Sequence, residues 1–431
     1  MANGLIIAAP SSGSGKTVVT LSLLAALRQA GVAVASAKVG PDYIDPCFHS
    51  ESSARPCFNL DQWAMRAQTI TANLNHLGQA SDLVVIEGVM GLFDGPESGK
   101  GSTADLAASL GLPVVLVVNC SHQAQSVAAL VKGFAELRKD IKLAGVILNW
   151  VSSARHTRLL KQAVESIGIR VLGAMPRVAD LQLPSRHLGL VQAHEHPEIK
   201  IFIDRAGQIA SNNIDLKNLQ ELASPLPDNS PDKASPLPPL GQRIAIARDE
   251  AFGFFYPHIA HDWQQAGAEL VPFSPLANEA PDKRADAIFL PGGYPELHAG
   301  KLAANSTFLN GLRSSNALIY GECGGYMVLG DGIIDKDGNR HAMAGLLPVT
   351  TSFARRKLTL GYRHVNHASP LPWPQHLKAH EFHFSTVEDQ QQAEPLFDAT
   401  DTTGKAIGSM GLRRGNIMGS YAHIIDEAAT S

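Results

Sequence analysis

A chain of 431 residues is longer than one ordinary hydrophobic core can organise, so two to three domains are expected and two is the better reading. A composition of 45% hydrophobic and 18% charged residues is that of a soluble globular protein with large α/β cores. The net charge of −4 advertises no basic face for nucleic acid, and four irregularly spaced cysteines argue for a reducing compartment and against a disulfide framework.

In chain order, the first apolar run is Leu5-Ile6-Ile7-Ala8-Ala9, a buried strand too short to span a bilayer. It has no basic leader before it, so a cytoplasmic location with no membrane partner is expected. It runs into Pro10-Ser11-Ser12-Gly13-Ser14-Gly15-Lys16-Thr17, after which Val18, Val19, Leu21, Leu24 and Leu27 recur at helical spacing. Strand, small-residue loop and helix together make a phosphate loop. Gly13 and Gly15 let backbone N–H groups surround phosphates, Lys16 reaches the terminal phosphates, and Thr17 can ligate magnesium. The generic motif has glycine six residues before the lysine; here that place is Pro10.

Further apolar runs at Val32 to Val39, Leu83 to Ile86, Val114 to Val118 and Ala144 to Leu148 are separated by segments long enough for crossover helices. They predict a doubly wound parallel sheet, in which ligands bind beyond the carboxyl ends of the strands. After the second run comes Lys38-Val39-Gly40-Pro41-Asp42-Tyr43-Ile44-Asp45-Pro46, and after the third Glu87-Gly88-Val89-Met90-Gly91-Leu92-Phe93-Asp94-Gly95. Carboxylates beside nucleotide phosphates repel them unless a metal bridges the two. Glu87 and Asp94 are therefore read as magnesium and phosphoryl-transfer residues, with Asp42 and Asp45 close to the acceptor. Asn119 and Asn149 close the next two strands, as base readers or as turn residues. Cys47 and Cys57 lie near His49, but no second pair completes a zinc pattern.

From Ser224 to Pro239 the sequence is too rich in proline for a helix or a central strand. The expected division is residues 1–223, a linker at 224–240, and a second domain at 241–431. In the second domain, strand Arg243 to Ala247 leads to an aromatic group from Phe252 to Tyr256, for which core packing is the default. Ala287-Ile288-Phe289-Leu290 ends in Pro291-Gly292-Gly293-Tyr294, and Gly292 and Gly293 leave N–H groups free for a developing oxyanion. Ala317 to Tyr320 then breaks into Gly321-Glu322-Cys323-Gly324-Gly325, a strand-turn-helix elbow that presents Cys323 as a nucleophile in strained backbone geometry. Its place at a helix N-terminus is expected to favour the thiolate. The base is expected to be a histidine, with His423 competing against His364, His367, His380 and His383. His380-Glu381-Phe382-His383 has strand-favouring composition and lacks the zinc-protease helix spacing.

Together the phosphate loop, Gly40 to Pro46, Glu87 to Gly91, Leu290 to Glu296 and Gly321 to Tyr326 resemble the cobyrinic or hydrogenobyrinic acid a,c-diamide synthases of corrinoid (vitamin B12) biosynthesis, along essentially the whole chain. The resemblance implies an α/β fold throughout: an N-terminal P-loop amidoligase domain similar to dethiobiotin synthetase and a C-terminal class I glutamine amidotransferase domain. It implies Cys323 as nucleophile, His423 as its base, Gly292 and Gly293 as the oxyanion turn, and Gly13, Gly15, Lys16 and Thr17 around ATP. It further implies Thr17, Glu87 and Asp94 around Mg²⁺, and Asp42, Tyr43 and Asp45 on the substrate side. ATP and L-glutamine are the implied co-substrates and a corrinoid polycarboxylic acid the acceptor, with room for a homodimer. The wider superfamily places an orienting glutamate two residues after the histidine, and here that residue is Ile425. The competing readings are a cobyric acid synthase acting on other corrinoid side chains and a P-loop ATPase switch that makes no product.

Overall fold

A computed structural model of the protein describes residues 2–178, 181, 185–186, 189–190, 192, 195, 198–227 and 235–428. The chain divides into two units, residues 1–63 with 67–234, and residues 64–66 with 235–431. Residues 228–234 of the expected linker lie outside the described residues.

In the first unit the apolar runs become strands because each is buried along its length. The order is β1 (Asn3–Ala8), α1 (Lys16–Gln29), β2 (Val34–Val39), α2 (Asp45–Ser53), β3 (Cys57–Leu60), α3 (Ala67–Gly78), β4 (Leu83–Glu87), α4 (Thr103–Leu110), β5 (Val114–Asn119), α5 (Val127–Glu136), β6 (Leu143–Val151), α6 (Ala154–Glu165) and β7 (Val171–Pro176). A short pair, β8 (Ser185–Arg186) and β9 (Gly189–Leu190), precedes α7 (Ile199–Asn213), α8 (Leu216–Leu222) and β10 (Ser224–Pro225). The sheet runs β3-β2-β4-β1-β5-β6-β7, with β10 added antiparallel to β1. The seven strands of that path pair in parallel throughout. Leu5, Ile7, Val85, Val115 and Val117 pack with Leu23, Leu24 and Leu27 of α1. Each such buried side chain stabilises the unit by roughly 1.5–3 kcal/mol. Register then places the chemistry: Glu87 at the end of β4 lies between Lys38 of β2 and Ile7 of β1, and β1 leads directly into the phosphate loop.

The second unit contains β11 (Arg243–Ala247), α9 (Pro257–Gln265), β12 (Glu269–Phe273), β13 (Ala287–Leu290), a 3₁₀ turn at Pro295–His298, α10 (Ala299–Ala304), α11 (Ser306–Arg313), β14 (Leu318–Glu322) and α12 (Gly324–Leu329). There follow β15 (Gly332–Ile334), β16 (Arg340–Ala342), β17 (Val349–Ser352), β18 (Thr359–Asn366), β19 (His376–His383), β20 (Thr386–Gln390), β21 (Glu394–Thr400), β22 (Ala406–Arg414), β23 (Ile417–Ser420) and β24 (Ala422–Glu427). Ten strands form one sheet, β12-β11-β13-β14-β23-β22-β21-β18-β19-β24, and β16-β15-β17-β20 form a smaller one. The first five strands of the large sheet are parallel and the rest antiparallel. Tyr421 alone separates β23 from β24, yet they stand fifth and tenth in the path. The antiparallel half must therefore curl back, which carries β19 and β24 to the end of β14 where the elbow lies. Phe252, Phe254 and Tyr256 are buried, as core packing predicts.

Candidate active sites

The phosphate loop requires its glycines for geometry. Gly13 and Gly15 have φ of 76° and 79°, where a side chain is strained. A Cβ on Gly15 would also overlap the Asn149 amide, which donates to the Ser14 carbonyl at 3.0 Å. Asn149 thus clamps the loop itself, and Asn119 takes the turn role, its Oδ1 accepting from Ser121 N at 3.0 Å. Gly13, Lys16, Thr17, Asp42, Asp45 and Trp150 help line a cavity of about 780 Å³.

At the floor of this site a cation missed by sequence reasoning joins the acids. Lys38 Nζ lies 2.5 Å from Asp45 Oδ2, 2.8 Å from Glu87 Oε1 and 3.8 Å from Asp42 Oδ2. Burial works against its charge, but Asp45, Glu87 and Asp42 outweigh it and hold the ammonium well above the usual lysine range. Glu87, also buried, is conversely held well below the carboxylate range by Lys38, Lys16 and His49. His49 Nε2 meets Glu87 Oε2 at 2.6 Å, and Cys57 also neighbours this histidine. Lys16 is pulled below its ordinary value by burial and by the neighbouring Lys38. Asp42 is pushed up to about 6 by burial and by Asp45.

Thr17 Oγ1 donates to Glu87 at 2.7 Å and reaches Asp45 at 3.2 Å, so three oxygen donors converge at Thr17 and suit a hard cation. Among the described residues no three His, Cys, Asp or Glu side chains form a metal cage of their own. Asp94 lies in the neighbouring loop: its carboxylate accepts from Gly91 N at 2.9 Å, and Gly91 packs against Pro10 at the start of the phosphate loop. Asp42 accepts from the N–H groups of Ile44 and Asp45, which shapes the turn carrying Tyr43.

The second site is built on strain. Cys323 adopts φ 47° and ψ −104°, a conformation unfavourable for any residue with a Cβ, and this throws its side chain off the end of β14. The glycines beside it allow the close packing that fixes the elbow. A Cβ on Gly325 would run into the Leu290 carbonyl, and one on Gly324 would stand 3.1 Å from Gly293 N. Among the described residues the Gly293 N–H has no carbonyl partner, which suits a donor for an oxyanion. Gly292 sits where a Cβ would overlap His423 Cε1, 3.1 Å from its Nε2 and 3.3 Å from Cys323 Cβ. The turn, the thiol and His423 are thereby brought together.

His380 lies directly across from His423 in the β19–β24 pair, but burial pushes it down to about 3, and His423 and Arg363 oppose its charge as well. His383 is engaged with Glu381 at 2.9 Å and stacks on Tyr421, and His367 is held by Ser369 and the Pro374 carbonyl. The expected thiolate is not found: burial, with Glu296 next, pushes the Cys323 thiol far up, and the Gly324 N–H offsets only part of this. Helix α12 has six residues, too few to outweigh the loss of water. The position two residues after His423 is the buried Ile425, whose carbonyl faces His258. Glu322, quoted in the sequence but given no role there, instead places Oε2 3.6 Å from His423 Nδ1.

A nucleotide site on a parallel sheet and a cysteine-histidine elbow on a second α/β unit define a glutamine-hydrolysing amidoligase. The model of the CobQ/CobB/MinD/ParA nucleotide binding domain matches residues 5–191, and that of the CobB/CobQ-like glutamine amidotransferase domain matches residues 243–430. Hydrogenobyrinate a,c-diamide synthase of Rhizobium meliloti (strain 1021) is 51% identical over 98% of this chain and 99% of its own. The Brucella anthropi protein of the same name is 51% identical over 98% of each chain, and that of a Sinorhizobium species 49% identical over 100% of each. The chain belongs to the hydrogenobyrinate a,c-diamide synthase family. Among the described residues no helix is long and apolar enough to cross a membrane.

Proposed function

We propose that this protein uses ATP and glutamine to convert the a and c acetate carboxylates of hydrogenobyrinate to carboxamides. The single observation that carries the reading is the pairing of the two sites in one chain: a strained cysteine beside a histidine and the Gly292-Gly293 turn, and a phosphate loop opening onto buried acids.

In the amidotransferase unit, Cys323 Sγ attacks the side-chain amide carbon of glutamine. Because burial keeps the thiol protonated, its proton must leave during the attack, to His423 Nε2. The Gly292-Gly293 turn holds the oxyanion. His423 then returns the proton to the departing nitrogen, which leaves as ammonia, and water hydrolyses the thioester to glutamate.

In the nucleotide unit, a substrate carboxylate oxygen attacks the γ-phosphorus of ATP, giving an acyl phosphate and ADP. Ammonia then displaces phosphate at the acyl carbon. Lys16 and the loop N–H groups hold the phosphates, and Asp42, Tyr43 and Asp45 line the acceptor side. Thr17 and Glu87 would hold Mg²⁺, with Asp94 contributing from the neighbouring loop; the ion neutralises charge on the transferring phosphoryl group. Lys38, already held charged, keeps the buried acids from repelling the nucleotide. Two rounds convert both acetates.

Four free cysteines support a reducing, cytoplasmic setting. The test is Cys323→Ala: glutamine-dependent amidation is lost and ammonia-dependent amidation is retained. Loss of both would make Cys323 a structural residue and refute the division of labour.

A further inference from the structure

The histidine of this cysteine-histidine pair lacks an acid at the expected place in the chain, yet the fold supplies one from the opposite direction. Glu322 ends β14, immediately before the nucleophile, and is 5% exposed. Its two oxygens do different things. Oε1 accepts from the Ile424 N–H at 3.1 Å, pinning the backbone that follows His423. Oε2 stands 3.6 Å from His423 Nδ1, longer than a hydrogen bond and within the range of a charge contact. The other ring nitrogen, Nε2, lies on the Gly292 and Cys323 side. The ring thus lies between the acid and the Gly292 and Cys323 side, with the acid adjacent in sequence to the cysteine rather than to the histidine.

We propose that Glu322 is the positioning residue of the glutaminase site, fixing the His423 ring through Nδ1 and stabilising the imidazolium that forms when Cys323 surrenders its proton. The proposal rests on the assignment of Cys323 and His423 as the glutaminase pair. A buried carboxylate beside an imidazole favours the charged ring, so part of the cost of moving a proton from a buried thiol is offset at the moment of attack. The Ile424 hydrogen bond and the neighbouring Tyr320 offset part of the cost of burying this carboxylate. Nearby groups with a bearing on pH dependence are Cys323 and Tyr320 from the β14 end, His380 and Glu381 from β19, Tyr421 between β23 and β24, and Glu296 from the 3₁₀ turn.

Three variants separate charge from hydrogen bonding. Glu322→Gln keeps an oxygen for Ile424 N–H and removes the charge, Glu322→Asp keeps the charge on a shorter stem, and Glu322→Ala removes both. Glutamate release from glutamine and amidation from added ammonia are measured for each across pH 5–9. Glu322→Gln is expected to lower glutaminase kcat at least tenfold. Glu322→Asp is expected to recover part of the rate, and ammonia-supported amidation to stay at wild-type level in all three. Glutaminase of Glu322→Gln within twofold of wild type would overturn the proposal. So would an aspartate variant no better than glutamine, or parallel loss of the ammonia-supported reaction in all three, which would make Glu322 a folding residue. Failure of the Cys323 and His423 assignment would show separately, as glutaminase surviving in Cys323→Ala.

Discussion

Gly292→Ala is the sharpest probe of the glutaminase geometry, because the added methyl would enter the gap between base and nucleophile. It would overlap His423 Cε1, lie 3.1 Å from Nε2 and stand 3.3 Å from Cys323 Cβ. Carbon atoms rest at about 3.5–4.0 Å, so the ring must retreat by about 1 Å. Its retreat is blocked behind by β19, where His380 faces it, and by the Ile424 backbone held to Glu322. A displacement of about 1 Å at reacting groups costs about 10²-fold, or roughly 2.7 kcal/mol of transition-state stabilisation. The assay is glutamate release at saturating glutamine, with ammonia-supported amidation as the control for folding. The expected result is glutaminase down about 100-fold and the ammonia reaction unchanged. Glutaminase within threefold of wild type would refute the placement of His423 against this turn.

Two further predictions concern the nucleotide unit. Lys38→Met leaves Asp45 and Glu87 without their buried cation, a loss of roughly 3–5 kcal/mol, and amides of β2 and β4 are expected to exchange with solvent about 10²–10⁴-fold faster. Unchanged exchange there would mean that water or rearrangement compensates. Glu87 is held below the usual carboxylate range in the folded protein, so its contribution to stability is fully present above the unfolded value near pH 4.3 and is lost as pH falls through the folded value. Glu87→Gln is therefore expected to be less stable than wild type at pH 7, with the gap closing below about pH 4 in denaturant titrations. A gap constant from pH 7 to pH 3 would contradict the ion-pair reading.

Strands announced by long apolar runs were legible in the sequence, since β1, β2, β4, β5 and β6 are buried almost throughout. Strand β3 is four residues with Asn59 inside it, and β7 is interrupted by Gly173 and half-buried positions, so neither carries a run. In the second unit the exposed stretch at the start of β22 gives no alternation to detect. The strained elbow at Cys323, the phosphate loop and the Gly-Gly turn were legible as backbone shapes because each is a local motif. The choice among histidines was not, because it depends on which strand the curled sheet brings to β14.

What escaped notice were charges whose meaning is tertiary. Lys38, next to the end of β2, and Glu322, at the end of β14, are both buried, where a charged side chain needs a partner, and that was the available signal. Their partners come from other elements, Asp45 of α2 and Glu87 of β4 for Lys38 and His423 of β24 for Glu322, and only the tertiary fold discloses them. The thiolate expectation failed for a related reason: a motif places Cys323 at a helix start but says nothing of how thoroughly the surrounding unit removes water.

The most direct measurement is the mass of hydrogenobyrinate after incubation with the protein, ATP, magnesium and glutamine, run beside cobyrinic acid and beside a reaction without glutamine or ammonia. The reading predicts the mass change of two amidations, two ATP consumed per product, and none of it without a nitrogen source. ATP hydrolysis with no amidated corrinoid acid in any reaction would contradict it.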